Sequence, residues 1–144
     1  MGRMNQIKAY EHRAQYYETD QMGCVHHSNY IRWFEEARTD LLHQVGFSYQ
    51  RMEELGILSP VLSVTAEYKS MVRFHDVVEI YARITKFNGI KFTVSYQIFD
   101  QKTKELRTTG ETIHCFLGRD YRPIRLLKEH KEVYDLFQEL CEDK

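Results

Sequence analysis

Residues 16–45 read YYETDQMGCVHHSNYIRWFEEARTDLLHQV, and this stretch decides the fold. Its second half repeats apolar side chains at steps of three and four residues, at Tyr30, Trp33, Phe34, Ala37, Leu41 and Val45. This spacing is typical of one buried face of a helix. The pattern predicts a 17-residue helix over 29–45, with Ser28 or Asn29 as its N-cap and Gly46 in the left-handed conformation that ends it.

The first half of the stretch follows no secondary-structure period, and Gly23 interrupts it, so residues 18–28 are predicted to form a loop. Residues 7–17, upstream of this loop, are rich in aromatic and charged side chains. They are predicted to form a first strand, with Tyr16 at its end.

Beyond the helix and a short helical turn near residues 49–55, the apolar period becomes two, which is typical of half-buried strands. The alternating apolar positions begin at Leu62, Val78, Phe92 and Leu106 and continue along four strands. Asn88-Gly89 separates the second and third of these strands and predicts a two-residue hairpin with positive φ at both positions. Helical spacing returns at residues 133–140.

Composition excludes several classes of protein. A chain of 144 residues predicts one domain over residues 1–144, and 20 basic against 21 acidic residues argue against a nucleic-acid partner. The longest uncharged stretch, residues 55–66, is too short to span a membrane, and residues 1–10 lack the apolar core of a signal peptide. Three widely spaced cysteines predict a reducing, cytoplasmic setting without a disulfide framework or a structural zinc site.

The order of elements predicts an α+β fold. Consecutive strands joined by tight turns favour an antiparallel sheet, and the apolar stripe of the long helix must be buried across it. A single helix covers one face only, so the other face and the strand edges stay exposed in a monomer. We therefore expect the chain to form a homodimer, and a homotetramer is a further expectation.

This order, together with residues 16–30, resembles the hotdog-fold acyl-CoA thioesterases. The similar branch is the 4-hydroxybenzoyl-CoA thioesterase-like group, which includes the Tol-Pal-associated acyl-CoA thioesterases of bacteria. The matching positions are Thr19-Asp20, Gly23 to Val25, His27, Asn29-Tyr30, Glu36 and Arg38, followed by the strand exit at residues 68–76. The resemblance covers residues 6–118. Cys24 replaces a small aliphatic residue, and Glu18 replaces the Asp of many relatives.

The resemblance implies a hotdog fold, in which an antiparallel sheet of five to six strands wraps a long helix. It implies hydrolysis of acyl-CoA to a free acid and CoA, with no metal or other cofactor. Asp20 would be the base or nucleophile, His27 would polarise the thioester carbonyl through its N–H, and Tyr16 would position the reactants. These roles agree with the chemistry of thioester hydrolysis, which needs a base or nucleophile and a hydrogen-bond donor for the developing oxyanion. N–H groups at the start of a helix are suitable donors.

The phosphates of CoA require local cations despite the net charge of −1. Lys86 and Lys91 flank the Asn88-Gly89 hairpin and are the first candidates, with Arg73 and Lys69 next. The alternative is that all four are ordinary surface cations.

The sequence also allows other interpretations of the function and of individual residues. The acyl group could be carried by an acyl-carrier protein, or the domain could bind acyl-CoA or a partner without catalysis. Cys24 with His27 could form a Cys–His pair, although a small buried Cys is favoured. Glu35 and Glu36 are interpreted as the solvated face of the helix, although some hotdog branches place their acid there.

Overall fold

A computed structural model describes residues 7–142. Five strands form one antiparallel sheet in the order β1-β3-β4-β5-β2. The elements are β1 (Tyr10–Arg13), α1 (Ser28–Gln44), α2 (Tyr49–Glu54), β2 (Val61–Tyr68), β3 (Val77–Phe87), β4 (Lys91–Asp100), β5 (Leu106–Cys115), α3 (Leu126–Glu129) and α4 (Lys131–Leu140). The predicted α+β class and the 17-residue helix are confirmed, the helix one residue earlier than expected. No helix within residues 7–142 has the length and apolar character needed to cross a membrane.

Helix α1 buries its aromatic stripe against the sheet. Phe34 stacks on Tyr96 of β4, with ring centroids 4.3 Å apart, and both side chains are buried. The approach is possible because β5 carries Gly110 at this point. A Cβ atom there would lie 2.5 Å from the Phe34 ring and 2.8 Å from the Thr65 carbonyl oxygen.

A chain of polar groups crosses this apolar core. Arg38 of α1 donates to the Tyr96 hydroxyl at 3.0 Å, Tyr96 lies 2.7 Å from Thr112 Oγ1, and Thr112 lies 2.8 Å from His114 Nε2. His114 Nδ1 lies 3.2 Å from the Ser59 carbonyl oxygen. Burial lowers the pKa of His114 to about 4, so the ring is neutral at neutral pH. The Ser59 carbonyl only accepts, so the ring proton is on Nδ1, and Nε2 accepts from Thr112, which accepts from Tyr96.

The first strand is shorter than the predicted 7–17. Pairing with β3 ends at Arg13, opposite Val77, and the chain then forms a 3₁₀ turn over Tyr16–Glu18. The turn forms because the Glu18 carboxylate accepts a hydrogen bond from the Gln15 N–H at 2.8 Å. The prediction that Tyr16 ends a strand is wrong for this reason.

Two local turn predictions are also wrong. The β3–β4 hairpin has a three-residue loop, and of its residues Gly89 alone has positive φ. Asn88 stabilises the loop through its side chain, whose Oδ1 accepts from the N–H groups of Ile90 and Lys91 at 2.9 and 2.7 Å. Neither Ser28 nor Asn29 caps α1, because His27 occupies the N-cap position. Gly46 has the predicted left-handed conformation, with φ of 79°.

Candidate active site

Asp20 lies in a tight turn between the 3₁₀ turn and α1. Its Oδ1 accepts hydrogen bonds from the N–H groups of Met22 at 2.8 Å and Cys24 at 3.3 Å. Gly23, with φ of 77°, lets the chain reverse and returns its N–H to the Asp20 carbonyl oxygen at 3.1 Å. Among residues 7–142, none donates a hydrogen bond to Oδ2. The turn therefore fixes the half-buried carboxylate while leaving one oxygen for chemistry.

The start of α1 presents an N–H group with no acceptor in the described chain. The Ser28 N–H donates to His26 Nδ1 at 3.2 Å, and the Asn29 N–H donates to the His26 carbonyl oxygen at 2.9 Å. The N–H of His27 donates to no atom of residues 7–142. It lies at the N-terminal end of a 17-residue helix, where the helix dipole is positive. Such a group is suited to stabilise an oxyanion.

Asp20 and His27 line one open cleft of about 650 Å³. The cleft lies between the Asp20 turn, the start of α1 and the segment that follows β2. The predicted CoA-binding residues Lys69 and Arg73 line it as well. Its other lining residues are Met22, Cys24, Val25, Tyr30, Tyr68, Ser70, Met71, Glu105 and Arg107. The structure thus brings together four of the seven predicted site residues.

Tyr16 is not among the residues that line the cleft. Its side chain is 75% exposed, and its ring packs edge-on against Phe74 with centroids 5.6 Å apart. A positioning role for Tyr16 stays a prediction from the resemblance.

Lys86 and Lys91 lie at the other end of the sheet. Strand β5 pairs Thr108 with Tyr68 beside the cleft and pairs Cys115 with Lys91 seven residues later. At about 3.4 Å per residue, roughly 24 Å of strand separates these two points. Within one chain, these two lysines do not approach Asp20.

Two tyrosines of the cleft were not predicted as site residues. The Tyr68 hydroxyl donates to the His27 carbonyl oxygen at 3.3 Å, and its ring packs against Tyr30 with centroids 5.1 Å apart. Tyr30 accepts the Val72 N–H at 3.3 Å. Both belong to the segments that carry the resemblance, but Tyr30 looks like a core position of the helix and Tyr68 like one more alternating strand residue, so neither was assigned a role in the site.

The three cations of the cleft differ in their partners. Arg107 is engaged, since it pairs with Glu105 at 2.8 Å and Asp100 at 3.4 Å and donates to the Met71 carbonyl oxygen. Lys69 pairs with Glu67 at 3.3 Å. The Arg73 guanidinium is exposed and pairs with no acid among residues 7–142. Arg73 is therefore the cation best placed to take an anionic ligand. Within residues 7–142, no three His, Cys, Asp or Glu side chains lie close enough together to bind a metal ion.

The family model described as the thioesterase-like superfamily matches residues 15–138. The chain belongs to this superfamily. The Bacillus subtilis protein YneP, whose name assigns acyl-CoA thioesterase activity provisionally, is 33% identical over 129 residues, which cover 89% of this chain and 93% of that protein. The acyl-CoA thioester hydrolase YbgC of Escherichia coli O157:H7 is 29% identical over 116 residues, covering 81% and 87%.

A solved structure of a DHNA-CoA thioesterase from Staphylococcus aureus matches this thioesterase-like chain with a TM-score of 0.86 at 36% identity. The match covers 91% of this chain and 88% of the other. The predicted hotdog fold is thereby confirmed, with five strands in the described chain.

Proposed function

We propose that this chain hydrolyses acyl-CoA thioesters to a free acid and CoA, with Asp20 as base or nucleophile and the His27 N–H as oxyanion donor. The observation that carries the proposal is the cleft itself. It combines a carboxylate oxygen that has no donor and a helix N-terminal N–H that has no acceptor among residues 7–142. A domain that only binds thioesters has no use for a carboxylate beside a developing oxyanion, because the two would repel each other.

The two groups have complementary roles in thioester hydrolysis. Attack on the carbonyl carbon places negative charge on the carbonyl oxygen, and a preorganised N–H stabilises that charge without reorganising during the reaction. Asp20 Oδ2 could attack directly, giving an anhydride that water then hydrolyses, or it could take a proton from an attacking water. Both routes release the CoA thiol, and both use the same oxygen.

Arg73 and Lys69 support CoA as the carrier of the acyl group. CoA has a 3′-phosphate and a pyrophosphate, and guanidinium and ammonium groups are the usual protein partners of phosphate. Both residues line the cleft that contains Asp20. Lys86 and Lys91 are the alternative, and substituting each pair separately distinguishes the two sites.

The proposal includes a homodimer. Strand β2 is an edge of the sheet, and the backbone groups on its outward-facing side have no neighbouring strand within residues 7–142. Val61, Leu62 and Val64 are exposed on it, which is unusual for an apolar edge that faces only water. The resemblance implies that two sheets pair edge to edge and that Asp20 faces the neighbouring subunit.

The experiment is a turnover screen with free thiol as the readout. The panel contains short aliphatic, long-chain and aromatic acyl-CoAs, including DHNA-CoA because of the S. aureus relative, and one acyl-carrier-protein thioester. Asp20→Asn keeps an oxygen for the Met22 and Cys24 N–H groups, so the turn should survive while kcat falls by at least about 100-fold. His27→Ala should cost less, because its backbone N–H remains.

Two results would contradict the proposal. One is that no acyl-CoA is hydrolysed, and the other is that Asp20→Asn retains more than half of the wild-type turnover. Turnover of the carrier-protein thioester alone would assign the activity to that alternative donor.

A further inference from the structure

Glu18 is a carboxylate buried two residues before Asp20, with 5% of its surface exposed. Its Oε2 accepts the indole N–H of Trp33 in α1 at 2.7 Å. Its Oε1 accepts the Gln15 N–H at 2.8 Å and contacts His12 Nε2 of β1 at 2.9 Å. A carboxylate oxygen only accepts, so His12 Nε2 carries a proton in this contact. One side chain therefore joins the first strand, the 3₁₀ turn and the long helix.

Stability alone does not account for a charge at this position. Burial raises the pKa of Glu18, but the hydrogen bonds from His12, Gln15 and Trp33 outweigh burial and lower the pKa below its ordinary value. The group is therefore a carboxylate at neutral pH. Buried ionic networks can often be replaced by apolar residues of similar volume with no loss of stability. What the carboxylate adds is directed bonds to three separate segments.

The main chain of Glu18 extends this connection to the oxyanion donor. Its carbonyl oxygen accepts the His26 N–H and the Asn29 side-chain N–H, both at 2.8 Å. His26 and Asn29 lie on either side of His27. Two residues after Glu18, the chain reaches Asp20. Glu18 is thus hydrogen-bonded to the residues that flank His27 and lies two residues before Asp20, although it does not line the cleft.

We infer that Glu18 is a positioning residue that sets the separation between the Asp20 carboxylate and the His27 N–H. The inference rests on the function proposed above. The attacking oxygen and the oxyanion donor must meet one carbonyl group from two sides, and a misplacement of about 1 Å can cost about 100-fold in rate. The carboxylate holds Glu18 against α1 through Trp33, and the Glu18 carbonyl oxygen holds the residues that flank His27, so together they provide this precision.

The test compares three graded variants with a matched control. Glu18→Gln keeps the size but places an amide NH₂ against N–H donors, and kcat should fall roughly 10- to 100-fold with KM within about twofold of wild type. Trp33→Phe removes one donor and should cause a smaller loss. Glu18→Asp keeps the charge with a shorter reach and should recover part of the activity. Thr112→Val removes two buried hydrogen bonds far from the cleft, so it should lower Tm without changing kcat.

Two further measurements separate positioning from folding and from the proposed function. In an Asp20→Asn background, adding Glu18→Gln should cause little further loss of kcat, because Glu18 acts through Asp20. In ¹⁵N spectra, Glu18→Gln should shift the amide resonances of Met22, Cys24 and His27 while Lys104 stays in place. This second readout needs no turnover.

The inference is overturned if those three resonances do not move, or if Glu18→Gln keeps wild-type kcat in an active enzyme. It is also overturned if Glu18→Gln and Thr112→Val lose the same amount of kcat for the same fall in Tm, because the loss would then reflect stability alone. A wild-type protein that hydrolyses no acyl-CoA would contradict the proposed function instead, and the spectra would still decide the role of Glu18.

Discussion

Removing the two cleft cations should weaken binding of the nucleotide part of CoA. The variant Arg73→Ala/Lys69→Ala deletes two positive charges, and its matched control, Lys86→Ala/Lys91→Ala, deletes two charges at the opposite end of the sheet. The structure assigns unequal shares to the first pair. Arg73 has no acidic partner among residues 7–142, whereas Lys69 already pairs with Glu67 at 3.3 Å.

The magnitude follows from exposed ion pairs, which contribute about 0.2–1 kcal/mol each. We expect about 1 kcal/mol for Arg73, at the upper end because a guanidinium can bind phosphate through two N–H groups. Lys69 should contribute about 0.4 kcal/mol, since Glu67 competes for it. The double variant should therefore raise KM for acyl-CoA roughly tenfold, with kcat nearly unchanged because this binding is the same in substrate and transition state.

The assay measures KM at low and high salt for intact acyl-CoA and for a truncated thioester that lacks the nucleotide. Salt should raise the wild-type KM more than that of the Arg73→Ala/Lys69→Ala variant, because ions screen exposed charges. The truncated substrate should show little difference among the three proteins. If the Lys86→Ala/Lys91→Ala variant shows the larger rise in KM, the reasoning is refuted and the nucleotide lies at the hairpin end, as first predicted.

Four other outcomes are expected. Gly110→Ala should cost about 2 kcal/mol through its clash with Phe34, lowering Tm by roughly 4–8 °C in a thermal melt, and an unchanged Tm would contradict that packing. The free energy of unfolding should fall as pH drops from about 6.5 toward 4. In this range His114 takes up a proton in the unfolded chain but stays neutral in the folded protein, where its pKa is lowered to about 4. His114→Gln should remove that part of the pH dependence in denaturant titrations. Light scattering should give at least twice 17.3 kDa, and an active monomer would exclude the proposed dimer. Cys24→Ser should keep nearly full turnover, whereas a folded but inactive variant would support a cysteine nucleophile.

The sequence by itself determined the parts of the molecule that depend on local spacing. Helix α1 was predicted to within one residue because a 3.6-residue period can be read along the chain without knowing its surroundings. The alternation along β3, β4 and β5 and the left-handed Gly46 are local in the same sense. The prediction that β2 is half-buried is wrong, because Leu62, Val64 and Tyr68 lie exposed on an edge strand. Asp20 and His27 were identified from a resemblance, and their nearness along the chain is why they also lie in one cleft.

Tertiary structure decided which residues from distant parts of the chain lie beside Asp20 and His27. Lys69, Arg73, Lys86 and Lys91 look alike in the sequence. The register of β5 against its two neighbours places Lys69 at the cleft and Lys91 about 24 Å of strand away, the bridge to Cys24 brings Arg73 to the cleft, and pairing with Thr93 keeps Lys86 near Lys91. Glu18 gave no signal as a buried carboxylate, since its donors come from three separate segments. Strand register and the burial of charge depend on partners far along the chain, so no local pattern can report them.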